Sequence, residues 1–232
     1  MDCFEALTSR RGVLRYDSRP VAADVIERVL TAAISAPSPA NLQPWAFVVV
    51  TDPERARKVA RYLLGVQDRR VFQDFLGLLP EETERYIDLY DQFEHAPCFV
   101  VLCLEPKTDF ALTEHRAVLR DWYLMCLGAA MANLMAAATA CGLGTRWFGG
   151  FALDGGGQYL KDLLSMPAGV EIAAVTPLGY PAGDALIRPR QPQSRRELAG
   201  FRRADQPALA SLLKGKLPLA SVIHQDGWRE DV

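Results

Sequence analysis

The stretch Pro37-Ser38-Pro39-Ala40-Asn41-Leu42-Gln43-Pro44-Trp45 decides how this chain of 232 residues is interpreted. It joins a segment with helical spacing to an apolar run, Ala46 to Val50, that has the pattern of a strand. Its prolines suit a connector, because each one fixes φ and prevents the helix from continuing. A connector does not also need Ser38, Asn41 and Gln43, whose hydroxyl and amide groups would be costly if left unpaired beside a buried strand. These side chains therefore predict a flat polar ligand with both hydrogen-bond donors and acceptors.

Helix patterns and strand patterns follow one another along the chain on both sides of this stretch. The predicted helices cover residues 1–9, 21–36, 113–141 and 158–164, and the third of these ends at Gly142. Another helix is predicted to start at residues 52–54, with Asp52 as its N-cap and Pro53 at its first position. The predicted strands cover residues 46–51, 98–104, 145–148 and 171–178. Residues 64–95 are charged and aromatic and are interpreted as a helical excursion at the periphery, whereas the three glycines at 155–157 predict a turn. Strands separated by helices predict an α/β or α+β sandwich.

Composition narrows the class of protein. Half of the residues are hydrophobic, and 26 basic side chains nearly balance 28 acidic ones, which argues against nucleic acid or an anionic membrane as a partner. Residues 122–144 carry no charge and are long enough to cross a bilayer, but their alanines and glycines are equally typical of a core or subunit-interface helix, and we expect no membrane span. Five cysteines without metal-ligand spacing, and no recognisable signal sequence, predict reduced thiols, no metal site and a cytoplasmic location.

Two pairs of arginines are candidates for binding phosphate. Arg10 and Arg11 precede Gly12, and Arg188 and Arg190 follow the last predicted strand. A planar guanidinium can reach two phosphate oxygens at once. Taken alone, either pair is more typical of solvated surface charge.

Consecutive glycines at Gly149 and Gly150 follow Trp147-Phe148. Without Cβ atoms they can present a backbone N–H to a ligand, although the pair taken alone is more typical of an ordinary turn. The chain contains no P-loop, no dinucleotide-binding glycine fingerprint and no nucleophile elbow. We therefore assign no catalytic side chain.

In this order the motifs resemble those of the FMN-dependent nitroreductase family over nearly the whole chain. The resemblance rests on Ser9–Val13, Ala36–Trp45, Ala96-Pro97, Ala138–Thr145, Phe148–Gly150, Leu178–Pro181 and Arg188-Pro189-Arg190. It implies an α+β fold, in which a central, mostly antiparallel sheet is flanked by helices. It also implies a single FMN-binding domain over residues 1–232, with an extended C-terminal arm from about residue 200.

The resemblance implies an FMN site made of three groups of residues. The phosphate would be bound by Arg10, Arg11 and Gly12, with Arg10 as the best ligand, and by Arg188 and Arg190. The loop residues Pro37, Ser38, Asn41 and Gln43 would reach the flavin bound mainly by the other subunit. The ring would lie along Phe148, Gly149 and Gly150, with a backbone N–H facing its N5–O4 edge. A homodimer would follow, with the apolar segment 122–141 as its central helix.

The activity implied is an NADH- or NADPH-dependent oxidoreductase that passes two electrons through flavin N5 to a nitroaromatic, a quinone or a similar small acceptor, in a ping-pong mechanism. Two positions depart from the family pattern: Gly12 replaces a usual serine or threonine, and Leu14 stands where a cation often lies near the ring. The alternatives are a specialised flavin enzyme (a dehalogenase or an oxidase), a non-catalytic flavin-binding or sensing protein, or a helical interaction protein. Acceptor preference would come from residues of about 64–95 and 107–120.

Overall fold

The computed structural model describes residues 1–75, 77, 79–80, 92–105 and 115–183. Its α-helices are α1 (Cys3–Ser9), α2 (Ala23–Ile34), α3 (Pro53–Val66), α4 (Arg116–Ala140) and α5 (Gln158–Leu163). Its strands are β1 (Trp45–Val50), β2 (Cys98–Leu104), β3 (Gly144–Thr145) and β4 (Glu171–Gly179). Short 3-10 turns cover Pro39–Asn41, Gln92–His95 and Gly150–Leu153, and a π-helical segment, Gln67–Phe75, extends α3. The expected arm from about residue 200 lies outside the described residues.

The described strands form one antiparallel sheet in the order β1-β2-β4-β3. Strand β2 is central, and all seven of its residues are buried. Because side chains alternate between the two faces of a strand, Cys98, Val100 and Leu102 face one hydrophobic cluster, whereas Phe99 and Val101 face the other. Helices α2 and α4 pack on the first face and α3 on the second. The predicted α+β class, with helices on both sides of an antiparallel sheet, is confirmed.

Local sequence explains where the helices begin and end. The backbone N–H of Arg55 donates to Asp52 Oδ1 at 2.8 Å, so Asp52 caps α3 in front of Pro53, as the sequence predicts. Helix α4 stops where Gly142 takes a φ of 74°, a left-handed conformation that ends helices at low cost. All three glycines at 155–157 also have positive φ, which confirms the predicted turn.

The predicted strand over residues 145–148 is shorter than expected. Phe148 and Val175 exchange two backbone hydrogen bonds, of 2.9 and 3.0 Å. In the same register, the next hydrogen-bonded pair would join Arg146 to Pro177, which has no N–H to donate. The Arg146 N–H donates instead to Thr176 Oγ1 at 3.1 Å. Proline therefore divides the predicted strand into β3 and an isolated bridge at Phe148.

Two burial predictions are wrong. Strand β1 was expected to be buried, but it lies at the edge of the described sheet, where only Trp45 and Val50 are fully buried. The excursion over residues 64–95 was expected to be peripheral, but Phe93 is fully buried and its ring centroid lies 4.7 Å from that of Phe148. The end of this excursion therefore belongs to the core.

Helix α4 is long and apolar enough to cross a membrane by length and composition alone. The core helix of a water-soluble fold can satisfy the same criterion, and one face of α4 packs on the sheet. That face includes Leu127, Met131 and Leu134, which are buried together with β2 residues in one cluster.

Candidate flavin site

The segment after α1 docks against β3. Gly12 forms an isolated parallel bridge with Thr145, and the Val13 N–H donates to the Thr145 carbonyl at 3.0 Å. The Val13 side chain fills the space beside Gly144, where an added Cβ would lie only 2.5 Å from Val13 Cγ2. This close packing holds the N-terminal arginine motif against the segment that leads to Phe148.

The two N-terminal arginines have different roles in the structure. Arg11 Nη1 donates to the Thr8 and Arg10 carbonyls at 2.8 Å each, so its guanidinium satisfies acceptors at the end of α1. The Arg10 side chain is half-buried and forms no hydrogen bond with a described residue. Of the two, Arg10 is therefore the one whose guanidinium has no partner among the described residues, and its role as a phosphate ligand stays a prediction.

Gly149 leaves an open backbone N–H beside Phe148. Its φ of −136° is accessible to any residue, and an added Cβ would meet nothing closer than Trp147 Nε1 at 3.7 Å. Neither conformation nor packing among the described residues requires glycine here. The Gly149 N–H donates to no described residue, and the glycine is exposed. A group that must approach this backbone closely would explain the missing side chain.

The loop that carries Ser38, Asn41 and Gln43 is strained and partly closed on itself. Ala40, Asn41 and Gln43 have φ values of 47°, 56° and 50°, which side chains other than glycine rarely adopt. Such strain costs on the order of 1–3 kcal/mol per residue and persists where surrounding contacts impose it, often at ligand sites.

Internal hydrogen bonds hold this loop. The Gln43 N–H donates to Ser38 Oγ at 3.0 Å, and Gln43 Nε2 donates to the Asn41 carbonyl at 3.3 Å. Ser38 therefore helps to hold the loop, and its predicted contact with a flavin stays a prediction. The Asn41 and Gln43 side chains are exposed, so the expectation that they lie beside a buried strand is wrong.

The structure places the predicted site residues in two groups. Arg10, Arg11 and Gly12 lie with Phe148, Gly149 and Gly150 around β3, beyond the C-terminal end of α4. The loop packs on the first half of α4, where Pro37, Ser38 and Pro39 line a groove of about 340 Å³ with Trp122, Met125, Cys126 and Ala129.

These two groups lie far apart along one helix. Cys126 and Ala140 are 14 residues apart, which corresponds to about 21 Å of helix axis. No hydrogen bond among the described residues joins the groups. One chain therefore does not assemble all the predicted groups at one place.

Two residues near β3 were missed by sequence reasoning. The Arg146 guanidinium carbon lies 4.9 Å from the Phe148 ring centroid, and its charge opposes the rise that burial causes in the pKa of Tyr16. The Thr145 Oγ1 atom is buried and has no hydrogen-bond partner in the part of the chain that the structure describes. A single charge between an apolar helix and Trp147-Phe148 was the only pattern in the sequence that could have indicated Arg146.

Arg188 and Arg190 lie outside the described residues. The chain that leads to them runs beside the N-terminal motif: the Asp17 N–H donates to the Tyr180 carbonyl at 2.9 Å, and the Ala182 N–H to the Arg15 carbonyl at 3.1 Å. The Arg19 guanidinium carbon lies 3.6 Å from the Tyr180 ring centroid. These contacts direct the chain after β4 toward the segment that holds Arg10.

Known proteins share the sequence pattern and the fold of this chain. The family description "Nitroreductase family" matches residues 7–180, which is most of the chain. The chain belongs to the nitroreductase family. The predicted resemblance is therefore confirmed.

Relatives within the nitroreductase family carry several names. An NADH dehydrogenase of Thermus thermophilus is 28% identical over 84% of this chain and 94% of its own length. Iodotyrosine deiodinase 1 of Rattus norvegicus is 28% identical over 79% of this chain and 64% of its own length. Among solved structures, a Bacteroides fragilis nitroreductase with bound FMN has a TM-score of 0.62 at 21% identity, over 84% of this chain and 96% of that one. This likeness confirms the nitroreductase fold.

Proposed function

We propose that this member of the nitroreductase family is an FMN-dependent oxidoreductase that takes electrons from NADH or NADPH and passes them to a nitroaromatic, a quinone or a similar small acceptor. The observation that carries the proposal is the exposed Gly149, whose N–H donates to no described residue; close approach of a ligand would explain this and the missing side chain. The names of relatives and the FMN bound to a solved member of the fold support it.

The residues present fit FMN. Arg10 would bind the phosphate, because its guanidinium has no hydrogen bond with a described residue, and Arg188 and Arg190 would close on the same group. The Gly149 N–H would donate to the ring edge, with Phe148 and Gly150 holding its conformation through the bridge to Val175 and the following 3-10 turn. FMN, when bound, supplies the carrier of two electrons between nicotinamide and acceptor.

Positive charge near the site comes from a different position than in the family pattern. Leu14 is half-buried and cannot provide the cation expected there, whereas the Arg146 guanidinium carbon lies 4.9 Å from the ring centroid of Phe148, the residue that precedes Gly149 in sequence. A fixed cation in a partly buried site stabilises negative charge that develops nearby. We therefore assign to Arg146 the electrostatic role that Leu14 cannot fill.

A homodimer completes the site in this proposal. The exposed side of α4 carries Trp122 and Met125, which are 51% and 72% exposed, and then small residues at Gly128, Ala132 and Ala136. Small residues at every fourth position allow close approach of a second helix, and an exposed apolar stripe indicates a protein partner. A second copy packed there would bring its own loop of Asn41 and Gln43 toward Arg10 and Gly149 of the first. The cytoplasmic location stays a prediction.

Anaerobic reduction tests the function. Protein reconstituted with FMN is mixed with NADH or with NADPH, and the visible absorbance of the flavin is followed by stopped flow. We expect reduction by at least one nicotinamide, followed by reoxidation with a nitroaromatic or a quinone. Protein that binds FMN but is reduced by neither nicotinamide would support a flavin-binding or sensing role instead. Failure to bind added FMN would contradict the whole proposal.

The second candidate is reductive dehalogenation. It is favoured by one observation, the 28% identity to iodotyrosine deiodinase 1 over 79% of this chain. Adding an iodotyrosine and dioxygen to the acceptor panel separates the candidates. If the iodotyrosine reoxidises the reduced flavin preferentially and iodide is released, dehalogenation replaces the leading proposal. If dioxygen reoxidises the flavin preferentially, the protein is an oxidase.

A further inference from the structure

Helix α3 and its π-helical extension carry a small pocket outside the candidate flavin site. The cavity measures about 280 Å³ and is lined by Arg61, Tyr62, Gly65, Arg69, Arg70 and Asp154, among others. Five of these six residues come from α3 and Gln67–Phe75, and Asp154 closes the cavity from the end of the 3-10 turn Gly150–Leu153. We call this cavity the α3 pocket.

Gly65 opens the α3 pocket. After proline, glycine is the residue least favourable to a helix, and Gly65 lies inside α3, before the chain continues into the π-helical segment. An added Cβ would meet no atom within 4 Å, and the residue does not have a left-handed φ. Neither packing nor backbone conformation therefore calls for glycine. Its missing side chain leaves the helix surface open to a ligand between Arg61 and Arg69.

The side chains around Gly65 carry mostly positive charge, and two of the three arginines form no ion pair with a described residue. The residues that line the pocket include three arginines and one aspartate. Arg70 is held by Asp74 at 2.9 Å and by Asp154 at 3.5 Å. The side chains of Arg61 and Arg69 are exposed and form no hydrogen bond or ion pair with a described residue. Two guanidinium groups thus remain available on opposite sides of the glycine.

The single carboxylate of the pocket is already satisfied. Tyr62 donates its hydroxyl to Asp154 Oδ2 at 3.0 Å, and its ring stacks on Tyr159 with centroids 5.0 Å apart. Arg70 approaches the other oxygen of Asp154. Burial and this hydrogen bond raise the pKa of Tyr62 above its usual range, so the hydroxyl remains a neutral donor. Asp154 therefore orders the wall of the pocket and opposes an incoming anion only weakly.

We propose that the α3 pocket binds a phosphoryl group, either as free phosphate or as the phosphate of a small metabolite. The guanidinium groups of Arg61 and Arg69 are not paired with a described carboxylate, and such groups bind phosphate oxygens through paired N–H donors. The volume lies at the lower end of ligand pockets, which suits a compact anion and excludes a whole dinucleotide.

Calorimetric titration of FMN-saturated protein tests this inference. Saturating FMN occupies any phosphate site that the flavin itself uses, so the heat measured reports a separate site. The probes are inorganic phosphate, glycerol 3-phosphate, sulfate and acetate, at constant ionic strength. We expect both phosphate probes to bind more tightly than sulfate or acetate. Tighter binding of glycerol 3-phosphate would indicate a phosphorylated metabolite, and tighter binding of phosphate would indicate the free ion.

Variants locate the binding. Gly65→Leu fills the cavity, and the double change Arg61→Gln and Arg69→Gln removes the free donors; each should raise the phosphate Kd by about tenfold or more. Arg55→Gln, on the same helix but outside the pocket, should leave Kd unchanged. Gly65→Ala should keep or raise Tm, because alanine favours helix, while still weakening binding. Absence of phosphate binding, equal binding of acetate, or a Kd unaffected by Gly65→Leu and the double change would each overturn the proposal.

Discussion

The side chain of Val13 occupies the space that a side chain on Gly144 would need. An ideal Cβ on Gly144 would lie 2.5 Å from Val13 Cγ2 and 2.8 Å from Val13 Cβ. Both residues belong to the junction at which Gly12 bridges Thr145. The N-terminal arginine motif is therefore positioned by packing on β3 as well as by its own sequence.

Gly144→Ala should destabilise the fold. The clash involves the branched, buried side chain of Val13, and overpacking of this kind costs about 1–3 kcal/mol. The free energy of unfolding, from urea denaturation, measures the loss. Adding Val13→Gly should recover part of the stability lost in Gly144→Ala, measured against Val13→Gly alone, because it removes the Cβ as well as the two methyl groups that collide. No recovery in the double variant would show that the contact is not the cause.

Gly149→Ala should weaken flavin binding or reduction and leave the stability of the fold nearly unchanged. The nearest atom to the added Cβ lies 3.7 Å away, so the free energy of unfolding should change by less than about 0.5 kcal/mol. If the flavin ring approaches this backbone, FMN affinity or the rate of flavin reduction should fall by about tenfold or more. Fluorescence titration of FMN and anaerobic stopped flow measure the two quantities. Wild-type values for both would contradict the role assigned to Gly149.

Asn41→Ala and Gln43→Ala should weaken FMN binding without unfolding the chain. Both side chains are exposed, and the only hydrogen bond that either forms with a described residue is the one from Gln43 Nε2 to the Asn41 carbonyl. Each replacement should therefore cost less than about 1 kcal/mol of stability. Ser38→Ala is the matched comparison: it should destabilise the loop, because the Gln43 N–H loses its acceptor. Unchanged FMN affinity in both amide variants would mean that the loop does not serve a flavin.

Ala132→Glu should dissociate the proposed homodimer. Ala132 is exposed on α4, between the small residues Gly128 and Ala136, where a charge would be buried by a second copy. Sedimentation velocity should show a dimer for the wild type and a monomer for this variant, with FMN binding weakened in parallel. Ala168→Glu, in the exposed turn before β4, is the control. A wild-type monomer that still binds FMN tightly would contradict a shared site.

Stability should fall in alkali. Burial raises the pKa of the Cys98 and Cys103 thiols to about 12, above the ordinary cysteine value of about 8.5. Between these two pKa values the unfolded chain releases thiol protons that the folded chain keeps. The free energy of unfolding therefore decreases as pH rises from about 8.5 toward about 12.

Each thiol should contribute on the order of 1 kcal/mol per pH unit to this decrease. The comparison is urea denaturation at pH 7, 9 and about 10 for the wild type and for Cys98→Ala with Cys103→Ala. The double variant should lose stability less steeply over this range, although it starts from a lower value because the replacements leave cavities. Parallel slopes for the two proteins would rule out the thiols as the cause.

Much of the fold could be predicted from the sequence because each element is specified by its own residues. The continuous apolar run at 98–104 predicted a strand, and Asp52-Pro53 and Gly142 predicted the start of α3 and the end of α4. The structure makes that strand the central one, with both faces buried. The limits of the same reasoning appear at residues 145–148. There the pairing register sets Arg146 opposite Pro177, a proline about 30 residues away, and this contact decides where β3 ends.

For the site, the sequence by itself determined which residue types were unusual for their position: a polar loop, a paired arginine motif and a pair of glycines. The family model confirms the family that these motifs indicated. The sequence alone did not determine the role of each member. Only the tertiary structure decided that Arg11 donates to a carbonyl of α1 and that Ser38 accepts a hydrogen bond from the Gln43 N–H. It also left the Arg10 side chain and the Gly149 N–H without a partner among the described residues. It also separated the loop from β3 along α4 and placed three arginines around Gly65. The physical reason is one of range along the chain. Hydrophobic periodicity and capping residues determine a helix or strand through residues of the same segment. The partner of a side chain depends on packing between residues that are distant in sequence.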